Sequence, residues 1–309
     1  GLDRGVFFKD KTGAVLFDLP IEEYGTNQDG KPHRRKVLNG NGTSVYLTQD
    51  IGTAILKANE FALDRSIYVV MNEQDPHFMA LFAILRALGY SWADRCYHMS
   101  YAMVRLPKGR MKSREGTVVD GDALADEMAA LAANIIKARD STLDDTEVAR
   151  RAEVISIAAI KFYLARYSPT SEILFNPETS LSFDGDTGPY CLYTYARAQS
   201  VIAKAQSQNV NLDGANEFSR LGNDDERACL LHALDFAEGV RKAAEHYAPS
   251  ILTDRMLALC AAFNRFYKNN QVVSEDGQLS RERLALVKMT AEALHWGFSL
   301  LGIEPLEKM

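Results

Sequence analysis

The sequence lacks a long apolar run, paired cysteines and an excess of positive charge. No apolar run approaches the ~20 residues that span a bilayer, and the first residues do not resemble a signal peptide. The four cysteines show neither CxxC nor cysteine–histidine spacing, so we expect no disulfide framework and no protein-bound metal. A net charge of −6 disfavours nonspecific binding of nucleic acids. A local positive patch can still bind a nucleic acid specifically. The cytoplasm is therefore the expected location, without membrane contact.

The composition that remains is that of an ordinary globular protein. Hydrophobic residues make up 47% and charged residues 25% of the 309 positions. This length allows one large domain or two moderate ones, each with its own core.

Strand and helix patterns alternate in the first part of the chain. Residues 13–17 and 44–47 are typical of short strands, and residues 66–73 form a β-branched run. Residues 75–90 predict a helix that closes at a glycine, and we expect a strand pair over 95–106. This order indicates a parallel or mixed sheet, which is α/β architecture.

From about residue 120 the pattern is helical to the C-terminus. Apolar residues recur at three- and four-residue spacing, as they do on one face of a helix. The predicted helices after that point lie at 122–138, 145–167, 187–207, 224–247, 250–269 and 280–301. The sequence therefore predicts α/β followed by all-α: an α/β part over 1–140, a helical connector over 141–186 and a helical bundle over 187–309.

Polar side chains stand at two predicted strand-to-helix junctions. Tyr46 and Asp50 lie at the first junction, whereas Gln74 and His77 lie at the second, beside Asp75 as the expected helix cap. Ligands of open α/β sheets bind beyond the carboxyl ends of strands. Asp50 could pair there with a cationic group, or it could only complement a helix dipole. His77 could donate to a phosphate or ribose, or it could serve only the helix start.

Four basic residues alternate on a glycine-bracketed loop that reads KGRMKSREG: Lys108, Arg110, Lys112 and Arg114. Such a loop could hold phosphates, because cations neutralise anionic oxygens and glycine permits unusual backbone angles. The same residues would suit a solvated hairpin tip.

Tyr193 and Arg197 are one helical turn apart on one face of a predicted helix. The tyrosine could stack on an unpaired base while the arginine reached a phosphate. The alternative is an ordinary local contact between the two side chains.

Several runs together resemble class I arginyl-tRNA synthetases. They are YLTQDIG, MVRLPKGRMKSREGTVV and SFDGDTGPYCLYTYARAQS. The runs AAFNRFYKNNQVV and RERLALVKMTAEALHWGFSLLGIEPLEKM resemble the anticodon-binding helices of that family. The resemblance covers about residue 5 to residue 309 and implies a partial Rossmann-like catalytic domain followed by a DALR-type anticodon-binding bundle.

The resemblance implies roles for the junction residues. Tyr46, Asp50 and Gln74 would form the pocket for the substrate arginine, in which a carboxylate binds the guanidinium. Lysine would be rejected because it cannot make the forked contact. His77 would lie near ATP.

The basic loop resembles the KMSKS-type loop with which the family grips ATP phosphates. The residues implied at ATP are Met111 and Ser113, and the implied catalytic cations are Lys108, Arg110, Lys112 and Arg114. The loop departs from the usual form close to KMSTRKG: Arg110 replaces its first lysine, Lys112 takes the serine position and Glu115 a later lysine position.

Anticodon contacts would come from Tyr193, Arg197, Tyr267 and Met309. The implied partners are tRNA-Arg, arginine and ATP, with Mg²⁺ on the ATP phosphates, in a full-length enzyme that is a monomer. The enzyme would form arginyl-adenylate and then pass the arginyl group to the tRNA.

The second class I signature, HxGH, is missing from the sequence. We therefore interpret the chain as a fragment of an arginine–tRNA ligase that lacks the HxGH half and is inactive alone. The alternative is a non-catalytic tRNA- or protein-binding module derived from a synthetase. A ligase for another cationic small molecule is a third hypothesis.

Overall fold

The computed structural model describes residues 1–107, 120–208 and 218–309. These residues form two compact units, Gly1–Met103 and Val104–Met309, and each unit has its own hydrophobic core. The first unit mixes strands with helices and the second is almost entirely helical, so the predicted order, α/β followed by all-α, is confirmed.

The first unit begins with a small antiparallel sheet of strand order β1-β2-β3 and continues with a parallel pair. Its elements in chain order are β1 (Phe8–Lys9), β2 (Val15–Asp18), α1 (Ile21–Tyr24), β3 (Arg34–Leu38), α2 (Tyr46–Glu60), β4 (Ser66–Met71), α3 (Asp75–Ala87) and β5 (Cys96–Tyr101). The segment β4–α3–β5 is a β–α–β unit with α3 as its crossover helix, because β4 and β5 pair in parallel over their whole length.

One face of the β4–β5 pair is covered and the other is exposed. Side chains alternate along a strand, so Tyr68 faces α3 and its ring lies 5.1 Å from that of Phe78. Ile67, Val69 and Tyr97 point the other way and are between 42% and 61% exposed. Parallel sheets are normally covered on both faces, so this apolar face is an unusual surface for a folded protein.

The strand predicted over 44–47 is wrong. Residue 44 makes only an isolated bridge to Leu38, and α2 already begins at Tyr46. Thr48 explains the early start, since its hydroxyl accepts from the Val45 N–H and also bonds to the carbonyl of Val37. This side-chain bonding satisfies backbone groups that a helix start leaves open.

The other early predictions are confirmed with two corrections. Asp75 is the first helical residue of α3, and Gln74 rather than Asp75 occupies the N-cap position. The strands found within 95–106 are not partners of each other: β5 pairs with β4, whereas β6 (Val104–Arg105) pairs in parallel with β7 (Ile173–Leu174). Gly89 ends α3 at a φ of 84°, a region that favours glycine.

The second unit is a bundle of long helices around one core. Its helices are α4 (Gly121–Arg139), α5 (Asp145–Arg166), α6 (Pro177–Ser180), α7 (Gly188–Ser207), α8 (Asp224–Glu245), α9 (Pro249–Asn269) and α10 (Gly277–Leu300). The long helices lie within two residues of their predicted starts, apart from α10, which begins three residues early. None of the helices described is long and apolar enough to cross a membrane. The predicted boundaries at 140 and 186 stay predictions.

A buried ion pair ties α8 to α10. Glu226, which is 1% exposed, accepts from Arg283 at 2.7 Å and from the backbone N–H groups of Gly222 and Asn223. Burial alone would raise the pKa of Glu226, but these hydrogen bonds outweigh it and hold the pKa below the ordinary 4.5. The ionised carboxylate is therefore part of the folded helical unit.

Acid is expected to destabilise the helical unit in part through Glu226. Because its folded pKa lies below 4.5, the carboxylate stabilises the fold above about pH 4.5, and that contribution is lost as the pH falls through the folded pKa. Glu226→Gln should therefore lose less thermal stability than the wild type between about pH 6 and pH 3, measured as Tm by circular dichroism. Glu275→Gln, at an exposed position, is the control. Equal acid dependence in Glu226→Gln and the wild type would contradict this assignment.

Candidate functional site

Three predicted site residues meet where the first turns of α2 and α3 lie together. His77 Nε2 lies 2.7 Å from Asp50 Oδ2, and the His77 and Tyr46 rings are 5.0 Å apart at 39°. Tyr46 and Asp50 are one turn apart on α2, which places both side chains on the face toward His77. We call Tyr46, Asp50 and His77 the aromatic–carboxylate cluster.

The aromatic–carboxylate cluster has the chemistry of a site for a planar cation. His77 engages only one oxygen of Asp50, and a carboxylate can accept several hydrogen bonds. Tyr46 is 66% exposed, so most of its side chain is accessible to a ligand. A guanidinium group could therefore pair with Asp50 and lie on an aromatic face in the same place.

A histidine that the sequence analysis did not single out holds the start of α3. His98 on β5 places Nε2 3.0 Å from the carbonyl of Val70 and Nδ1 3.3 Å from Asp75. Its ring also lies 4.2 Å from that of Phe78. These contacts link the end of β4 to the first turn of α3, where Gln74 is exposed and forms no capping hydrogen bond with its side chain. Strand alternation in the run CYHMSY was the signal that could have found His98.

The structure brings Tyr46, Asp50 and His77 into contact. Gln74 lies exposed at the N-cap of α3. The predicted phosphate-loop residues fall outside the described residues: Lys108, Arg110, Met111, Lys112, Ser113 and Arg114. Their roles stay predictions.

A second group of predicted residues meets between α7 and α9 in the helical unit. The guanidinium carbon of Arg197 lies 4.7 Å from the ring centroid of Tyr193 and 5.3 Å from that of Tyr267. Tyr267 is stacked in turn on Phe263, with ring centroids 6.2 Å apart. We call Tyr193, Arg197 and Tyr267 the guanidinium cluster. The fourth residue of this prediction, Met309, packs partly buried against the core of the same unit.

The positive charge of Arg197 has no carboxylate partner among the residues described; its hydrogen bond goes to the neutral amide of Asn264. The two tyrosines are 37% and 40% exposed, so the rings that flank this charge also face solvent. Arg241 on α8 shows the opposite situation, because Glu238 and Glu245 both pair with it. The guanidinium cluster is therefore suited to an anionic ligand with flat rings, as a nucleic acid offers.

Neither cluster has the composition of a metal centre. Across residues 1–107, 120–208 and 218–309, no three histidine, cysteine, aspartate or glutamate side chains are grouped as ligands of one ion.

Comparison with known proteins places both units in one family. Residues 2–176 match the catalytic domain of class I tRNA synthetases of the arginine type, and residues 191–309 match the DALR anticodon binding domain. The chain belongs to the class I arginyl-tRNA synthetase family. The resemblance stated from the sequence is thereby confirmed.

Relatives of this synthetase family match the chain from end to end. It is 42% identical to an arginine–tRNA ligase of Treponema denticola over 316 residues and 39% identical to that of Flavobacterium psychrophilum over 313 residues. Each match covers 100% of the chain but only 52% and 50% of the relative. The chain thus spans about half the length of the curated relatives it matches.

A solved structure of the synthetase family has the same fold. The arginyl-tRNA synthetase of Thermus thermophilus superposes with a TM-score of 0.83 at 27% identity, over 98% of this chain and 56% of that one. The expected fold, an α/β catalytic part with a helical anticodon-binding part, is therefore confirmed.

Proposed function

We propose that the chain supplies the arginine-binding side of the active site and the anticodon-reading domain of an arginine–tRNA ligase. One observation supports the proposal: a single chain of this family pairs a partly open carboxylate with aromatic rings in its first unit, and holds an arginine without a described carboxylate partner between two tyrosines in its second. Arginine is the cation and tRNA the polyanion that one such enzyme must bind.

The aromatic–carboxylate cluster would recognise the arginine side chain. Asp50 would accept hydrogen bonds from the guanidinium through the oxygen that His77 leaves open. Tyr46 would lie against the plane of the guanidinium, and Gln74 would complete the pocket from the N-cap of α3. Lysine would be disfavoured because its ammonium group is a point charge without a forked set of donors.

ATP would bind beside this pocket, with His77 contacting its ribose or phosphate and the basic residues at 108–114 contacting the phosphates. Mg²⁺ would enter on the phosphate oxygens, which are the ligands that this hard cation prefers, and would supply charge neutralisation there. The chain's own contribution to adenylate formation would be orientation of the arginine, which brings its carboxylate to the α-phosphate.

The guanidinium cluster would bind the anticodon loop. A base could stack on Tyr193 or Tyr267, while Arg197 contributes its uncompensated charge to a phosphate or a base edge. Met309 would contact the same loop from the C-terminus.

The chain spans about half the length of its relatives, and its first unit has one exposed sheet face. This exposed apolar face of the β4–β5 pair supports a catalytic domain in which further polypeptide packs against the sheet.

A tRNA-binding module without catalysis is the second candidate function. Two observations favour it: the sequence has no HxGH motif, and the helical unit has its own core.

The 309-residue chain alone is expected to show no arginine-dependent ATP–pyrophosphate exchange above background. The physical reason is that its sequence lacks the second class I signature, HxGH, and with it groups that would stabilise the charge on the ATP phosphates. Exchange of labelled pyrophosphate into ATP measures this directly. Robust exchange by the chain would contradict the prediction.

The arginine pocket is testable in a hybrid enzyme. We would replace the matching half of the Treponema denticola ligase with this chain, and we expect arginine-dependent exchange by the hybrid. Asp50→Asn in the hybrid should then lower kcat/KM for arginine by roughly 10- to 100-fold, because a charge-assisted hydrogen bond to the guanidinium is lost.

The matched control for Asp50→Asn is Asp64→Asn, at an exposed position shortly after α2. It should leave kcat/KM for arginine unchanged. An active hybrid in which both substitutions have the same small effect would remove Asp50 from the pocket.

Selective tRNA binding tests the helical unit. Filter binding of the chain to tRNA-Arg should be tighter than to a non-cognate tRNA and should weaken with salt. Tyr193→Ala and Arg197→Ala should each weaken it about 10-fold, since each removes a stacking or ionic contact. Arg241→Ala should have little effect, because its charge is already paired with Glu238 and Glu245. Equal losses from Arg197→Ala and Arg241→Ala would point to diffuse electrostatics instead.

A further inference from the structure

Asn264 stands at the centre of a hydrogen-bond network below the guanidinium cluster. Its Oδ1 accepts from Arg197 Nη1, and its Nδ2 donates to Tyr190 Oη at 3.1 Å and to Thr194 Oγ1 at 2.9 Å. The network joins α9, which carries Asn264, to three residues of α7 spaced along one face.

The orientation of the Asn264 amide is fixed by Thr194. The hydroxyl of Thr194 has one hydrogen, and it donates that hydrogen to the carbonyl of Tyr190 at 3.0 Å. The Thr194 oxygen can then only accept from Asn264, so the NH₂ group must face Thr194 and the carbonyl oxygen must face Arg197. Burial raises the pKa of Tyr190, so its hydroxyl stays neutral and can accept the second amide hydrogen.

The neutral amide also keeps the charge of Arg197 available. A carboxylate at position 264 would form an ion pair with Arg197, as Glu238 and Glu245 do with Arg241. The amide instead holds one nitrogen of Arg197 and leaves its positive charge uncompensated between Tyr193 and Tyr267.

We infer that Asn264 is a positioning residue for tRNA binding: it orients Arg197 through an amide that Thr194 locks, and it does so without neutralising the charge. This inference rests on the proposed function of the guanidinium cluster. It concerns a residue that would act through Arg197 and would not itself contact the RNA.

Asn264→Asp tests the inference with a side chain of the same shape. The new carboxylate should neutralise Arg197, so binding of the 309-residue chain to tRNA-Arg should weaken about 10-fold. The slope of log binding constant against log salt concentration should become shallower by about 1, since one cation no longer releases a counterion. A purely structural role would lower Tm but would leave the salt slope of the folded protein unchanged.

A double-mutant cycle assigns the effect to Arg197. In an Arg197→Ala background, Asn264→Asp should cause no further weakening, because the cation through which it acts is gone. Thr194→Val, which keeps the side-chain shape but removes one acceptor that holds the amide in place, should weaken binding in the same direction and by less. It serves as the second variant should Asn264→Asp fail to fold, which circular dichroism would reveal.

The outcomes separate the inference from the function on which it rests. Unchanged tRNA binding in Arg197→Ala would overturn the proposed role of the guanidinium cluster. The inference alone would be overturned if Arg197→Ala weakens binding but folded Asn264→Asp keeps the wild-type affinity and salt slope. An unchanged affinity in Thr194→Val, again with weakened binding in Arg197→Ala, would overturn it in the same way. Additive losses in the double mutant would likewise show that Asn264 acts independently of Arg197.

Discussion

The helical unit depends on how closely α7 approaches α5 at its first residue. A Cβ at Gly188 would lie 2.5 Å from the carbonyl oxygen of Ala158 and 2.9 Å from Cβ of Phe162, so only glycine allows this contact. Thr187 caps the helix at the same place by accepting from the N–H of Tyr190. The start and axis of α7 are thereby set, and with them the positions of every α7 residue that faces α9.

Local sequence signals were enough to predict most of the fold. The long helices were predictable because their apolar residues repeat with helical period, and the β4–α3–β5 segment because a β-branched run precedes a proline-started helix. The strand predicted for residues 44–47 is wrong for a specific reason. The hydroxyl of Thr48 bonds to a carbonyl on β3, and this tertiary contact overrides the strand propensity of Val45 and Tyr46. Strand pairing was equally hidden, since β6 pairs with a strand some 70 residues away in the chain.

The candidate sites were predictable only in part. Tyr46, Asp50 and His77 could be named because junction residues of an α/β unit meet at one place, yet their mutual contact depends on how α2 packs against α3. Asn264 was missed although one signal was present: it is the single amide in the apolar stretch LALCAAFNRF. Its role became visible only when α7 and α9 were paired, because its three partners are 67 to 74 positions away.

The separate cores of the two units have an evolutionary consequence. The aromatic–carboxylate cluster is supported by side chains of the first core and the guanidinium cluster by those of the second. Substitutions in one cluster therefore leave the core behind the other cluster unchanged. Under the proposed function, a chain built in this way can change its anticodon recognition while selection preserves its arginine pocket.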